Sequence, residues 1–411
     1  MTKRVAITGM GVVTSLGNSP TEFHSALCEG RQASYRRESC ELDDASCTQG
    51  GSISSFEPES YLSGKPLRPL DRTGRIVAAA ARLALENSGW VAALLRNHDV
   101  GLVLGTMFGS VRTIAEFDRR GLTQGPACVS PLDFANTVLN AAAGQTAIWH
   151  NLRGINSTIA CGSCSGLMAL GYAADLIRYR GHTAILAGGA DEFCFESFCG
   201  FDRAGLLCKA NGHDDFPVPF AAARSGFALG EAAALLMLEE WDSALARGAT
   251  IIGEIRGHGN AYDPGGNREC RPETIARAME AAVADSGLNA SDIGCISASA
   301  NGSVFADRNE ALAVKAFFNG SSDTIPITAI KSAVGEVLGA SGVLQAISLI
   351  ETFRTHTLPG IRGLEQIGPE LPELNLCRQS RTLNICSGLI NSVGFDGNTC
   401  ALMMARAQAT N

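Results

Sequence analysis

Apolar residues along this chain follow two rhythms, short unbroken runs and longer stretches that repeat near every 3.6 residues. The two alternate from end to end. The unbroken runs predict buried strands at Val5–Thr8, Val100–Gly105, Thr183–Ala187 and within Gly230–Leu238. Five more follow at Ile251–Arg256, Cys295–Ser299, Ile325–Thr328, Ser387–Asn391 and Thr399–Met404. The helical rhythm predicts Glu22–Cys28, a helix from Asp71 through Asn87, Ser110–Arg120, and two short pieces at Ser130–Asn140 and Ala141–Trp149. Further helices are expected up to Arg180-Gly181, at Asp242–Arg247, Glu273–Ser286 and Arg308–Phe318, and in the apolar stretch ending at Phe353. Gly9–Asn18, Gly188–Asp191 and Ser392–Asn398 read as loops or turns, and the polar, irregular residues 31–65 as a surface excursion. The second half repeats the style of the first. Two halves, 1–245 and 246–411, therefore predict an internally duplicated α/β fold.

One stretch organises the rest: Ser157 to Ala174, where a small-residue turn leaves a strand-like run and enters a helix. Leu167, Leu170, Tyr172, Ala173 and Leu176 fall near one helical face. A side chain at such a helix entrance faces unpaired N–H groups, which favour a developing anion, and nucleophiles are commonly mounted there. Thr158, Ser163 and Ser165 also read as plain caps.

Composition narrows the classes. The 411 residues are 45% hydrophobic and 18% charged with 46 glycines, which fits a large α/β core. A net charge of −8 gives no electrostatic case for nucleic acid or an anionic membrane. The N-terminal run has no signal-peptide h-region and no stretch reaches membrane-spanning length, so a cytoplasmic protein is expected. Gly9-Met10-Gly11 mimics a dinucleotide fingerprint, but the third glycine and the later acidic residue are missing. Cys161 and Cys164 form a C-x-x-C without a second pair at zinc spacing, so the fourteen cysteines are expected to be buried free thiols, with no metal.

Several motifs together resemble the β-ketoacyl synthase family of thiolase-fold enzymes across essentially the whole chain. They are the opening VAITGMGVVTSLG, Gly105-Thr106, Gly188-Gly189-Ala190-Asp191-Glu192, Pro219-Phe220 with Gly230-Glu231-Ala232, Lys331-Ser332, and Asn391-Ser392-Val393-Gly394-Phe395. The resemblance implies a thiolase-like, internally duplicated αβαβα layered fold. The family's nucleophile motif is T-A-C-x-S-G, and its histidines lie in A-H-G-T and K-S-x-x-G-H. Anchoring on Ser165-Gly166 puts Ser163 at the nucleophile position, Asn301 at the first histidine and Glu336 at the second. Cys161 falls two residues early and Cys164 one late. None of the seven histidines lies in a matched catalytic motif. A serine hydroxyl needs a positioned base. An ionised Glu336 repels an enolate that two imidazoles would stabilise. Lys331 is retained. Phe395 matches the family's aromatic gate, although Asp396 follows where glycine is usual, and Gln345 stands where active members carry glutamate. Phe201 is a candidate for the acyl channel, and Met107, Phe108 and Phe134 for the tunnel or dimer edge.

The reading this favours is a non-condensing subunit, a chain-length factor, that pairs with an active ketosynthase and shapes its acyl tunnel in type II polyketide or fatty-acid-like synthesis. Implied partners are that ketosynthase, as a heterodimer with a homodimer as the alternative, and an acyl carrier protein. The phosphopantetheine arm belongs to the carrier, so the chain is expected to own no cofactor. Two enzymatic alternatives stand beside it: an acyltransferase with Ser163 as nucleophile, or a condensing enzyme in which a register shift brings Cys164 or Cys161 into place.

Overall fold

The structure is a computed structural model and describes residues 3–36, 47, 50–209, 216–265, 270–318 and 324–407. Ten strands join in one continuous sheet: β1 (Val5–Val13), β2 (Gly101–Gly105), β3 (Asn156–Ile159), β4 (Ala184–Asp191), β5 (Ala232–Glu240), β6 (Gly253–Tyr262), β7 (Ile296–Ser297), β8 (Ile327–Thr328), β9 (Ser387–Val393) and β10 (Asn398–Ala405). Their spatial order is β8-β7-β9-β10-β6-β1-β5-β4-β2-β3. Read outwards from the centre, the first five strands run 1-5-4-2-3 and the second five 6-10-9-7-8. The same winding therefore occurs twice. The copies meet where β1 and β6 pair antiparallel, Val5 opposite Ile255.

Four helices build the layers: α1 (Arg72–Asn87), α2 (Ser165–Arg180), α3 (Pro272–Ser286) and α4 (Ser341–Thr355). α1 covers the outer face of the first five strands and α3 that of the second five, while α2 and α4 pack together between them. Alternate residues of a strand point to opposite faces, and β5 shows this within a wholly apolar run. Ala234, Leu236 and Leu238 enter the central core, whereas Ala233, Leu235 and Met237 meet α1. In β10, Cys400, Leu402 and Met404 face the centre, and Ala401 and Met403 face α3. Burial on both sides is why these strands read as continuous runs.

One expected turn, Gly188–Asp191, is strand throughout, and the other two begin later than expected, leaving the turn after Val393 at residues 394–397. β1 continues through Gly9 and Gly11 to Val13, β4 through Gly188 and Gly189 to Asp191, and β9 through Ser392 to Val393. In the first two the glycines serve close packing. A Cβ on Gly11 would lie 2.0 Å from the Ala80 carbonyl oxygen of α1. The expected helix over Ser130–Asn140 shrinks to Pro131–Phe134. The excursion at 31–65 is only partly at the surface. Residues 37–46, 48 and 49 lie outside the described residues, but Tyr35–Arg36 pairs with Ser52–Ile53, and Gly51, Ser52 and Ile53 are buried.

Backbone touches backbone where the central layer meets the first five strands. A Cβ on Gly166 or on Gly189 would each fall 2.0 Å from the Gly339 carbonyl oxygen. Overpacking of this kind costs about 2–3 kcal/mol. Gly166→Ala is thus expected to lower the urea midpoint by that equivalent, and Gly144→Ala, where nothing lies within 4 Å, to leave it nearly unchanged.

Candidate functional site

The turn from β3 into α2 carries Cys161, Gly162, Ser163 and Cys164. Gly162 holds φ +58°, and its missing Cβ would fall 2.6 Å from the Asp396 carboxylate, so the position requires glycine twice over. The Ser165 hydroxyl has the Gly162 carbonyl at 2.6 Å and the Thr106 carbonyl at 3.0 Å as acceptors for its one proton, and accepts from the Cys161 N–H at 2.8 Å. Ser163 is fixed just ahead of the first helical residue and is buried. Its Oγ donates to the Val393 carbonyl at 3.3 Å. No acid or base accepts from it among the described residues. Cys164 points inward, its thiol donating to the Ser392 and Asn398 carbonyls at 3.2 and 3.3 Å, and burial raises it well above the ordinary thiol range. Cys161 is half-buried, and burial followed by the nearby Asp396 charge raises its thiol too.

Asn301, Lys331 and Glu336 come together in a buried cluster. Glu336 is fully buried. Its Oε2 accepts from Lys331 Nζ and from Asn301 Nδ2, both at 2.8 Å. Its Oε1 accepts from Ser341 Oγ at 2.7 Å and the Leu338 N–H at 3.1 Å. Four donors therefore occupy this carboxylate, and it presents acceptors only. Lys331 also donates to Ser299 Oγ at 3.4 Å, and Ser299 Oγ accepts from the Val393 N–H at 2.9 Å. The Val393 peptide thus stands between the Glu336 cluster and Ser163. Asn301 is oriented in turn by Asp307, whose Oδ1 accepts the Asn301 N–H at 2.9 Å.

Burial raises two carboxyls behind the cluster, Asp307 to about 6 and Glu310 to about 7, against the pull of backbone N–H donors. Gln345 donates to the carbonyls of Ser297 and Ala298, both at 2.9 Å. No histidine joins the cluster among the described residues. His24 is buried and His150 half-buried, and desolvation pushes both down to about 4; His258 pairs with Asp175 at 3.0 Å. His213 lies outside the described residues.

An aromatic group walls the other side. Phe395 stacks on Phe227 at 5.1 Å and meets Phe201 edge-on at 5.7 Å; Phe201 touches Phe227 at 5.4 Å and Phe108 at 5.8 Å. Met107 packs against the same cluster. Phe134 does not join it. That ring lies 5.9 Å from Phe117 and is 62% exposed.

Phe227, Ser299, Ser341 and Asp191 were not singled out by sequence reasoning. Asp191 accepts from Thr106 Oγ1, the Met107 and Phe108 N–H groups and the Gly339 N–H, so it ties the aromatic wall to the Glu336 turn. Burial raises it to about 6. Its place in the matched Gly188–Glu192 motif was the available signal. Next to it, burial and the nearby charges of Asp71 and Glu231 push Glu192 up to about 8. A carboxyl raised on folding holds its proton in the folded state where the unfolded chain has lost it, so stability falls as pH rises between those two values. Glu192→Gln is expected to flatten the decline of the urea midpoint between about pH 4.5 and pH 8.

The family model described as "Beta-ketoacyl synthase, N-terminal domain" matches residues 2–244, and its "C-terminal domain" counterpart matches 252–365. The chain belongs to the β-ketoacyl synthase family. Among curated members, 3-oxoacyl-[acyl-carrier-protein] synthase 2 of Synechocystis sp. is 30% identical over 99% of both chains. The protein of that name from Rhizobium meliloti is 31% identical over 98% of this chain and 99% of its own. Among solved structures, a β-ketoacyl synthase from Burkholderia phymatum superposes with TM-score 0.93 at 30% identity, covering 99% of this chain and 100% of that one. The ishigamide ketosynthase/chain length factor superposes with TM-score 0.92 at 27% identity and the same coverage. The expected thiolase-like fold is therefore the observed one. Among the described residues, no helix is long and apolar enough to cross a membrane, and no group of three or more His, Cys, Asp or Glu could hold a metal ion.

Proposed function

We propose that this ketosynthase-family chain is a non-condensing partner subunit, a chain-length factor, that joins an active ketosynthase and shapes its acyl tunnel. The observation that carries this reading is Glu336, buried and saturated by four donors at the position the family's motif gives to a histidine. Decarboxylative condensation needs N–H donors aimed at a developing enolate. Here a carboxylate consumes the donors instead. Ser163 completes the case, because its hydroxyl donates to a carbonyl and meets no base among the described residues. Nothing favours the acyltransferase alternative, and Cys164 is turned into the core, against its serving as nucleophile through a register shift; Cys161, the other thiol of that alternative, is half-buried with its thiol raised.

Two surface features support a second polypeptide. β3 ends the sheet, leaving one margin of the strand without a partner among the described residues. Near it in sequence stand Leu122 (87% exposed), Phe134, Val138 and Ile148 (72% exposed), an apolar set that water disfavours. The similarity to the ishigamide ketosynthase/chain length factor agrees with such a pairing. We place the boundary between halves at residues 245/246, near the end of the helix Trp241–Ala246 that follows β5.

The test is reconstitution with malonyl- and acyl-loaded acyl carrier protein. Expected are no elongation by this chain alone, elongation when its ketosynthase partner is present, and no acyl mass on the Ser163 peptide. Elongation by the isolated chain, or an acyl ester on Ser163, overturns the reading.

A further inference from the structure

Two thiols from distant segments touch beneath the aromatic wall. Cys47 Sγ and Cys208 Sγ lie 3.1 Å apart, although 161 residues separate them in the chain. Both sit in the apolar cluster that contains Phe201, Phe227 and Leu338. Cys208 has a second aspect, since it lines a cavity of about 820 Å³ together with Lys209, Phe216, Ser225 and Arg362. One of the two cysteines thus borders a cavity whose lining sets Lys209, Arg224 and Arg362 against one carboxylate, Glu365, and the other is fully buried. The backbone passes the position on: the Cys208 N–H donates to the Phe227 carbonyl at 2.9 Å, and the Phe227 N–H to the Leu206 carbonyl at 3.2 Å. Phe227 is the ring stacked on Phe395.

We propose that Cys47 and Cys208 form a reversible disulfide by exchange with a small anionic disulfide of the glutathione type, which reaches Cys208 through this cavity, and that the bond pins the wall behind Phe227. The exchange runs in two steps. Cys208 thiolate attacks one sulfur of the reagent, the reagent's S–S bond breaks, and one small thiol leaves. Cys47 then attacks Cys208 sulfur, the mixed disulfide breaks, and the second small thiol leaves. The protein loses two electrons and the reagent gains them; the two protein thiol protons end on the two released thiols. The hydrogen bond with Cys47, with burial next, raises the Cys208 thiol above its ordinary range. Exchange is therefore slow at neutral pH and quickens as pH rises from about 7 to about 9, as thiolate chemistry requires.

The full chain is incubated with oxidised glutathione, free thiols are blocked, and peptides are mapped without reduction. The expected result is a peptide pair joining Cys47 to Cys208, with two of the fourteen thiols lost from this pair and recovered with dithiothreitol. Cys47→Ser should instead retain one glutathione on Cys208, and Cys208→Ser should leave Cys47 reduced. The proposal is overturned if both residues stay reduced while the exposed Cys128 and Cys386 are modified. A stable glutathione adduct on Cys208 of the unmutated chain also overturns it. The unmutated map decides the matter even if a serine variant fails to fold.

Discussion

Replacing Glu336 by leucine should unfold this protein about 3–5 kcal/mol more easily, the cost of stranding one member of a buried ion pair. Lys331 is 2% exposed, and its ammonium has Glu336 as its one ion-pair partner among the described residues. Leucine leaves that charge with only the Ser299 hydroxyl, at 3.4 Å, among its hydrogen-bond acceptors in the described residues. Three further donors lose their acceptor: Asn301 Nδ2, the Leu338 N–H and Ser341 Oγ. Adding Lys331→Met removes the stranded charge but leaves those donors unmet, so the double variant should fall between Glu336→Leu and the parent. Urea unfolding of the three proteins checks this order. If Glu336→Leu matches the parent, the carboxylate is not the hub described, and its charge no longer speaks against condensation by this chain.

Phe227→Ala should be the next most damaging change, again about 3–5 kcal/mol for a deleted buried aromatic. Its ring is fully buried and contacts both Phe395 and Phe201. The variant also separates two roles for the wall. If the rings border the acyl tunnel of the proposed pair, the cavity left behind should lengthen the acyl products, read by mass spectrometry of the carrier-bound chains. Pure packing would lower the thermal midpoint and leave the product length distribution where it was.

The layered fold was legible because strands buried on both faces give unbroken apolar runs, and because the second half restates the first. Element ends were less so, for a reason visible in β1 and β4. Glycine in a sequence signals a turn by its freedom in φ, yet Gly9, Gly11, Gly188 and Gly189 are strand residues whose missing side chains admit a neighbour's backbone. That purpose depends on contacts far away in the chain. The site divides in the same way. Asn301, Lys331 and Glu336 were locatable from local motifs and do converge. Their saturation by Leu338 and Ser341 required the three-dimensional turn. Phe227 was missed because a single phenylalanine after Ser225-Gly226 carries no periodic signal. Phe134 was a candidate for the tunnel or the dimer edge, and the fold carries it to the outside, away from the aromatic wall.

If the rings border the acyl tunnel of the proposed pair, the Gly166–Gly189–Gly339 seam bears on how that tunnel's length is set. Main chain abutting main chain offers no rotamers to swap and no slack to take up. The floor under the cluster is accordingly a fixed datum, and any difference in the space above it has to be written in interchangeable side chains such as Phe201. A homologue tuned to another length would then diverge at the rings and keep the three bare α-carbons.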